Sequence, residues 1–399
     1  MTKKVLIMTQ NFYPVIGSAG NRMKNIFQLL NENNIETKVL TIEPSYPNKN
    51  LYKSKEFWDD EELNKETKKI IRVPIKNKKY SNSIFSRLFF YLEIMVRFII
   101  TLWKLRKEKI DYILVSTPPI FIVFSAFIGR FLTNSKIILE VRDLWPDSLL
   151  GVKAFDSHLT IRFFRFLEKK MYQKADAIVI NSKGFEKHIT EKLGHDEKTI
   201  VYIPNGPRES ELTKHREFSS EFSVVYTGNI GLAQDIGRLK AIAKSLHEHN
   251  IRFNVIGYGI KVAELVNFIE TENLSNVRIF NPATRKKSLD LIRESNIAIA
   301  FLNDEDVFST VLPGKIIDYI TCSTPVIAGV EGTAADLINH NKVGYAYESR
   351  DIAKMIHKIM ELKQDNKKLE ELSDNCEKVI QQEFLWETNI SKLIGIIDK

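Results

Sequence analysis

The chain has 399 residues, 44% hydrophobic and 27% charged. That excludes disorder, collagen-like repeats and coiled coil as the main state and leaves room for two or three domains with real cores. The formal net charge is +8, yet residues 65–109 alone hold 13 basic and 3 acidic side chains, a local net of +10, so the rest of the chain is slightly acidic.

In chain order, Met1-Thr2-Lys3-Lys4 leads at once into Val5-Leu6-Ile7-Met8. This run is too short for a secretory signal, and no small-residue cleavage site follows, so it reads as a buried first strand. A helix is expected over Asn21–Asn33 and a strand over Thr37–Thr41. The basic segment follows. Its apolar half, Ile84 to Trp103, contains Arg87, Glu93 and Arg97, which are costly at a bilayer centre, so it is not read as a transmembrane helix. The expectation is a cytoplasmic protein with one segment that touches a membrane. Helices are predicted over Phe85–Lys107, Ile120–Phe131, His158–Lys174 and Gly184–Lys192. Strands are predicted at Tyr112–Val115, Lys136–Glu140 and Ala177–Ile180. Strand–helix alternation with nearly continuous apolar strands argues a parallel sheet covered on both faces.

The pattern restarts after Val201-Tyr202-Ile203-Pro204-Asn205-Gly206 and an aperiodic polar stretch, Pro207 to Ser220, which reads as a linker. Strands at Ser223–Thr227, Phe253–Ile256, Val277–Phe280, Ile297–Ala300 and Pro325–Ala328 alternate with helices at Gly237–Glu248, Lys261–Thr271, Lys286–Glu294 and Gly314–Thr321. The fold class is α/β, with two doubly wound domains facing a cleft. The expected limits are 1–205 for the first, 206–374 for the second and 375–399 for an amphipathic final helix packing back on the first. Ligands of such sheets bind outside the carboxyl ends of the strands. The two cysteines, Cys322 and Cys376, form no CxxC pair, so neither a disulfide framework nor a structural zinc site is supported.

Four stretches carry chemistry. Gln10 to Gly20 ends the first strand, and its Gly17, Ser18 and Gly20 precede a helix, where backbone N–H groups can meet an anion; an ordinary strand-to-helix turn needs glycine too. Glu140-Val141-Arg142-Asp143-Leu144-Trp145-Pro146-Asp147-Ser148 gathers ionisable groups at one strand's carboxyl end. Arg142 could hold a phosphate or carboxylate, and Asp143 could accept from sugar hydroxyls or orient a nucleophile. Tyr226-Thr227-Gly228-Asn229-Ile230-Gly231 is the second domain's glycine loop, with Gly257-Tyr258-Gly259 closing the next strand. In Leu312-Pro313-Gly314-Lys315-Ile316-Ile317-Asp318, Lys315 falls in a first helical turn, where a cation opposes the dipole unless an anion binds. Asp318 shares its face and either pairs with Lys315 or binds a ribose diol.

Together these motifs, with Thr324-Pro325-Val326-Ile327-Ala328, resemble the retaining glycosyltransferases of the GT-B fold known as family 4, from Val5 to about Ala328. Arg142-Asp143-Leu144-Trp145-Pro146-Asp147-Ser148 is similar to the subgroup that transfers N-acetyl-L-fucosamine or related deoxy amino sugars in capsule and O-antigen assembly. The resemblance implies a UDP-sugar as donor substrate, no cofactor, no essential metal, and an acceptor saccharide on undecaprenyl diphosphate at the inner face of the plasma membrane. It implies that Lys315 contacts the diphosphate, assisted by Arg142 and Asp143 in a catalytic set. Gly17, Ser18, Gly20, Asn205, Gly228, Asn229, Gly257, Arg285 and Asp318 fall on donor-binding positions. The usual E-x7-E pair is altered here: Thr310 stands at the first position and Asp318 at the second. The Arg that many members carry after the second-domain loop is replaced by Asn229, leaving Lys315 and Arg142 or Arg285 to balance the leaving group's charge. The alternatives are a UDP-sugar 2-epimerase of the same fold and a basic nucleic-acid binder. The latter rests on the basic segment alone, with no recognisable nucleic-acid-binding motif, so nucleic acid is not expected as a partner. Lys76, Lys78, Lys79, Arg87 and Arg97 are instead expected to face an anionic membrane surface.

Overall fold

The computed structural model describes residues 2–77, 84–148, 158–195, 197–212, 221–231, 234–303, 305–347 and 351–399. Lys78 and Lys79 lie outside them. The chain divides into two compact units. The first comprises Met1–Pro146, Phe155–Pro204 and Glu387–Lys399, and the second Asp147–Ala154 and Asn205–Trp386.

The first unit is built on seven parallel strands: β1 (Lys4–Met8), β2 (Glu36–Ile42), β3 (Ile70–Val73), β4 (Tyr112–Thr117), β5 (Lys136–Val141), β6 (Ala177–Ile180) and β7 (Thr199–Tyr202). Their spatial order is β3-β2-β1-β4-β5-β6-β7. Ile7 of β1 stands between Val39 and Leu114 in register, so three branched side chains line up across the sheet centre. The inner strands β1, β2, β4, β5 and β6 were legible because both of their faces are covered, and a doubly covered strand must be apolar throughout. The helices are α1 (Ser18–Glu32), α2 (Glu61–Lys65), α3 (Ile84–Leu105), α4 (Ile120–Thr133), α5 (His158–Lys174) and α6 (Phe185–Leu193).

The second unit repeats the plan with six parallel strands. They are β8 (Ser223–Asn229), β9 (Arg252–Tyr258), β10 (Val277–Phe280), β11 (Ile297–Phe301), β12 (Val326–Gly329) and β13 (Gly344–Tyr347), ordered β10-β9-β8-β11-β12-β13. Register pairs Gly228 with Gly257 and Asn229 with Tyr258, so the two glycine-bearing strand exits lie side by side. Its helices are α7 (Ile236–Glu248), α8 (Val262–Thr271), α9 (Arg285–Arg293), α10 (Gly314–Thr321), α11 (Thr333–His340), α12 (Ile352–Gln364) and α13 (Asn366–Val379). The chain closes with α14 (Trp386–Ile397).

The final helix expected over residues 375–397 is not continuous. A wider π turn spans Ile380–Phe384, Leu385 turns extended, and only α14 returns to the first unit. The π turn sits where the chain grips the linker. The Phe384 carbonyl lies so close to Gly206 that a Cβ there would be 1.7 Å from it, and the Trp386 N–H donates to the Pro207 carbonyl at 3.1 Å. Gly206 is therefore needed for close approach between segments. Cys322 and Cys376 are both buried thiols.

Candidate functional site

In the second unit the sequence motifs converge at the carboxyl ends of β8 and β9. Gly228 adopts φ +113°, a region open chiefly to glycine. A Cβ at Gly228 would lie 3.5 Å from Cε of Lys315, so the lysine runs along this loop. The Ile230 N–H donates to the Tyr258 carbonyl at 2.7 Å, tying the β8 exit to the β9 exit. Asn229 sits between Gly231 and Gly259, where a Cβ would come within 2.7 Å and 2.4 Å of its amide. At Gly257 a Cβ would strike Cδ1 of Ile230 at 2.6 Å.

Pro313 precedes α10, fixing the backbone for a helix start, and no side chain caps that end. Lys315 is the second residue of the helix. Its ammonium donates to Oη of Tyr226 at 2.8 Å and to Oε1 of Gln234 at 3.3 Å, and lies 4.0 Å from the Tyr226 ring centroid. Tyr226 in turn donates to Gln234 at 2.9 Å and stacks on Phe301. Among the described residues no carboxylate lies within ion-pair distance of Lys315. Burial alone pushes its pKa down to about 7. The site thus holds a cation poised to gain its full charge when an anion arrives.

Asp318, one turn along α10, does not pair with Lys315. It accepts from Nη1 of Arg285 at 2.7 Å, and Arg285 also binds Glu211 through Nε and Nη2. Burial disfavours the Arg285 charge, but Asp318 and Glu211 outweigh it and hold the pKa above its ordinary value. Burial pushes Asp318 upward against the pull of Arg285. Arg285 is therefore already matched by two carboxylates, which separates its position from that of a free cation for a leaving group. Thr310 turns its hydroxyl onto the Val307 carbonyl at 2.7 Å. Asn205 is half-buried just ahead of the Gly206 contact.

In the first unit, Gly17 takes φ 100° and Ser18 opens α1 without a side-chain cap, leaving that helix end at the surface. Gly20 is needed for packing, since a Cβ there would come within 2.1 Å of the Val15 carbonyl. Arg142 is engaged: Nε donates to Oγ of Ser116 at 2.7 Å, Nη2 donates to the Pro118 carbonyl at 3.0 Å, and Oε2 of Glu140 is 3.4 Å away. Glu140 also takes Arg22 of α1 at 2.5 Å, both side chains being almost wholly buried, while Arg22 reaches the Pro204 carbonyl at 3.1 Å. Two guanidinium groups thus share one carboxylate at the β5 exit, and the Asp143 carboxylate beside Arg142 completes the balance. Burial lowers the Arg142 pKa despite Glu140. Asp143 is half-buried beside it and adds to the field that favours the charge.

The sequence motifs gave no role to Gln234, Glu211 or Arg22. A further cation, Arg72, donates to the Tyr13 carbonyl at 2.7 Å and lies 5.3 Å over the Trp58 ring. Of the residues expected at a membrane, Lys76 and Arg87 are exposed, whereas Arg97 is bound to Glu93 at 2.7 Å.

Two family descriptions match adjoining stretches of the chain: "Glycosyl transferase 4-like domain" over residues 17–206 and "Glycosyl transferases group 1" over residues 207–379. The chain belongs to the group 1 glycosyltransferases. Among curated relatives of this glycosyltransferase, the probable glycosyltransferase WbjE of Pseudomonas aeruginosa is 22% identical over 309 residues, covering 73% of this chain and 75% of that one. The putative colanic acid biosynthesis glycosyl transferase WcaI of Escherichia coli K12 is 19% identical over 331 residues, covering 78% and 80%. Among solved structures, Anabaena Alr3699/HepE in complex with UDP and glucose superimposes with a TM-score of 0.69 at 13% identity, covering 99% of each chain. The α/β GT-B architecture expected from the motifs is the architecture of this glycosyltransferase.

Proposed function

We propose that this glycosyltransferase moves an N-acetylated deoxy amino sugar from UDP to a saccharide on undecaprenyl diphosphate, with retention, in capsule or O-antigen assembly. The observation that carries the reading is Lys315: an ammonium with no carboxylate partner among the described residues, held by Tyr226 and Gln234 beside the Gly228 loop. Departure of the nucleotide builds charge on a diphosphate, and fixed donors aimed at that charge lower the barrier. Lys315, the amino end of α10 and the glycine-loop amides supply such donors without calling on a metal ion. In this reading the acceptor hydroxyl attacks from the leaving group's own face and a diphosphate oxygen takes its proton. Gly17 and Ser18 offer the uncapped amino end of α1, Arg142 offers a guanidinium at the β5 exit, and Asp143 positions substrate hydroxyls. The UDP in the Anabaena neighbour and the name of the colanic acid relative support the donor and the polymer class.

Purified protein is incubated with UDP-linked N-acetylhexosamines and their 6-deoxy forms, with and without polyprenyl diphosphate-linked saccharide. Acceptor-dependent UDP release is expected. Conversion of the donor to its 2-epimer without acceptor would overturn the reading in favour of an epimerase.

A further inference from the structure

Among the described residues, ten large hydrophobic side chains are exposed, and nine of them lie on α3, α4 and α5 of the first unit. On α3 the pattern is regular. Phe90, Ile94, Phe98 and Leu102 recur every fourth residue and are buried. Phe89, Val96, Ile100 and Trp103 fall on the opposite side and are 59%, 50%, 49% and 53% exposed. At 3.6 residues per turn the two rows lie about half a turn apart, and the outer one runs roughly 20 Å. A helix that packs on a sheet needs one apolar face; α3 has two. The neighbouring α4 continues the outer surface with Phe131, 86% exposed, and Phe121 of α4 stacks on Tyr91 of α3 at 5.8 Å, so the helices lie side by side. The end of α5 is tied to α4, where Nη1 of Arg130 donates to the Lys174 carbonyl at 3.1 Å, and Phe163 and Phe166 of α5 are exposed as well.

Basic side chains rim this surface. Arg87 stands at one end of the α3 row, and Lys104, Arg106, Lys107 and Lys109 are exposed at the other. Arg106 covers the Trp103 ring at 3.8 Å, and Lys170 covers the Phe166 ring at 5.7 Å. The only acidic residue within α3, Glu93, is spent on the backbone N–H groups of Lys76 and Asn77 and on Arg97. Burial disfavours its charge, but these donors outweigh burial and hold the pKa to about 2. It therefore remains a paired carboxylate at neutral pH. Among the described residues no helix is long and apolar enough to cross a membrane.

We propose that the outer faces of α3, α4 and α5 form a docking surface that inserts its apolar rows into one leaflet of an anionic bilayer, with the cations at phosphate level. Aromatic rings flanked by Lys and Arg suit the headgroup boundary, where the ring is buried and the charge stays wet. The α3 helix begins on the side where β3 ends, so Leu88 and Phe89 lie toward the carboxyl edge of the sheet, where ligands of parallel sheets bind. Insertion there places a lipid-linked acceptor within reach. That purpose rests on the function proposed above, whereas the surface itself rests on exposure and charge. Attachment is consequently part hydrophobic, and salt removes only its electrostatic share.

The test is flotation of the full chain with vesicles of phosphatidylcholine and of phosphatidylcholine–phosphatidylglycerol, at low and high salt. Wild type is expected to float with the anionic vesicles and to keep a salt-resistant fraction. Its tryptophan emission is expected to shift to the blue, and the shift to disappear in Trp103→Phe. Val96→Ser with Ile100→Ser should weaken flotation at least tenfold, and Lys104→Glu with Lys107→Glu should remove the salt-sensitive part. No flotation, flotation unaffected by Val96→Ser with Ile100→Ser, or a wild-type dimer that those two substitutions dissociate in sedimentation would overturn the proposal. Stabilisation of the same variants by UDP reports the second unit separately. Retained UDP stabilisation without flotation sinks the docking surface alone; flotation without UDP stabilisation sinks the donor reading alone.

Discussion

Replacing Lys315 by Met keeps much of the side chain's volume and removes its charge, and the structure dictates opposite effects on stability and turnover. Burial lowers the pKa from 10.5 to about 7 with no compensating carboxylate. At 1.36 kcal/mol per pH unit, that corresponds to at most about 5 kcal/mol of penalty on the charged form. The sign follows from proton counting. Below about pH 7 both folded and unfolded chains hold the proton and the folded chain bears the whole penalty. Between about pH 7 and 10.5 only the unfolded chain holds it, so the penalty fades as pH rises. Lys315→Met should therefore be more stable than wild type, by up to about 5 kcal/mol at pH 6 and progressively less toward pH 10. Its turnover should fall by roughly 10²–10³, the usual effect of deleting one donor to a developing anion. Urea unfolding at several pH values and a UDP-release assay read the two effects on one preparation. Turnover within a few-fold of wild type would refute the argument, as would a Met variant less stable than wild type at pH 6.

Other outcomes follow from the buried charge clusters and the glycine loop. Arg285→Ala leaves Asp318 and Glu211 facing each other without their cation, and should cost about 3–5 kcal/mol in a denaturant titration. Arg22→Leu strands Glu140 with only Arg142 at 3.4 Å, and should cost a similar amount, about 3–5 kcal/mol, in the same titration. Gly228→Ala forces a Cβ into φ +113°, and should cost roughly 1–3 kcal/mol in thermal unfolding while weakening UDP binding through the strained loop backbone. Glu93→Gln should remove the share of stability that Glu93 contributes and that is lost as pH falls from about 4.5 to 2, because a carboxylate with a depressed pKa stabilises only while ionised. Circular dichroism across that range checks it.

The central strands of both sheets were legible because burial on two faces demands continuous Val, Ile and Leu. The strands that escaped, β3, β7 and β13, are edge strands with partly exposed side chains. Ile-Ile-Arg-Val and Thr-Ile-Val-Tyr are rich in β-formers and carry a strand signal of their own, whereas Gly-Tyr-Ala-Tyr, with its Gly and Ala, carries little. The break in the last helix was invisible for another reason. No Pro or Gly marks residues 380–384; the π turn accompanies a backbone contact with Gly206, far away in sequence. At the site, Lys315 could be read because a cation in a first helical turn is misplaced without an anion. Its carriers, Tyr226 and Gln234, could not, since neither residue type advertises a role. The partners of Asp318 and Glu140 lie 33 and 118 residues upstream, and only the fold brings such ions together.

Calorimetry of UDP binding at pH 8, in buffers of different ionisation enthalpy, tests the account most directly. Lys315 is mostly neutral there before binding, and a diphosphate returns its charge, so close to one proton should be taken up per UDP bound. That uptake should vanish in Lys315→Met along with most of the affinity. Binding of UDP with no proton uptake, or with equal affinity in the Met variant, would contradict the assignment of Lys315 to the diphosphate.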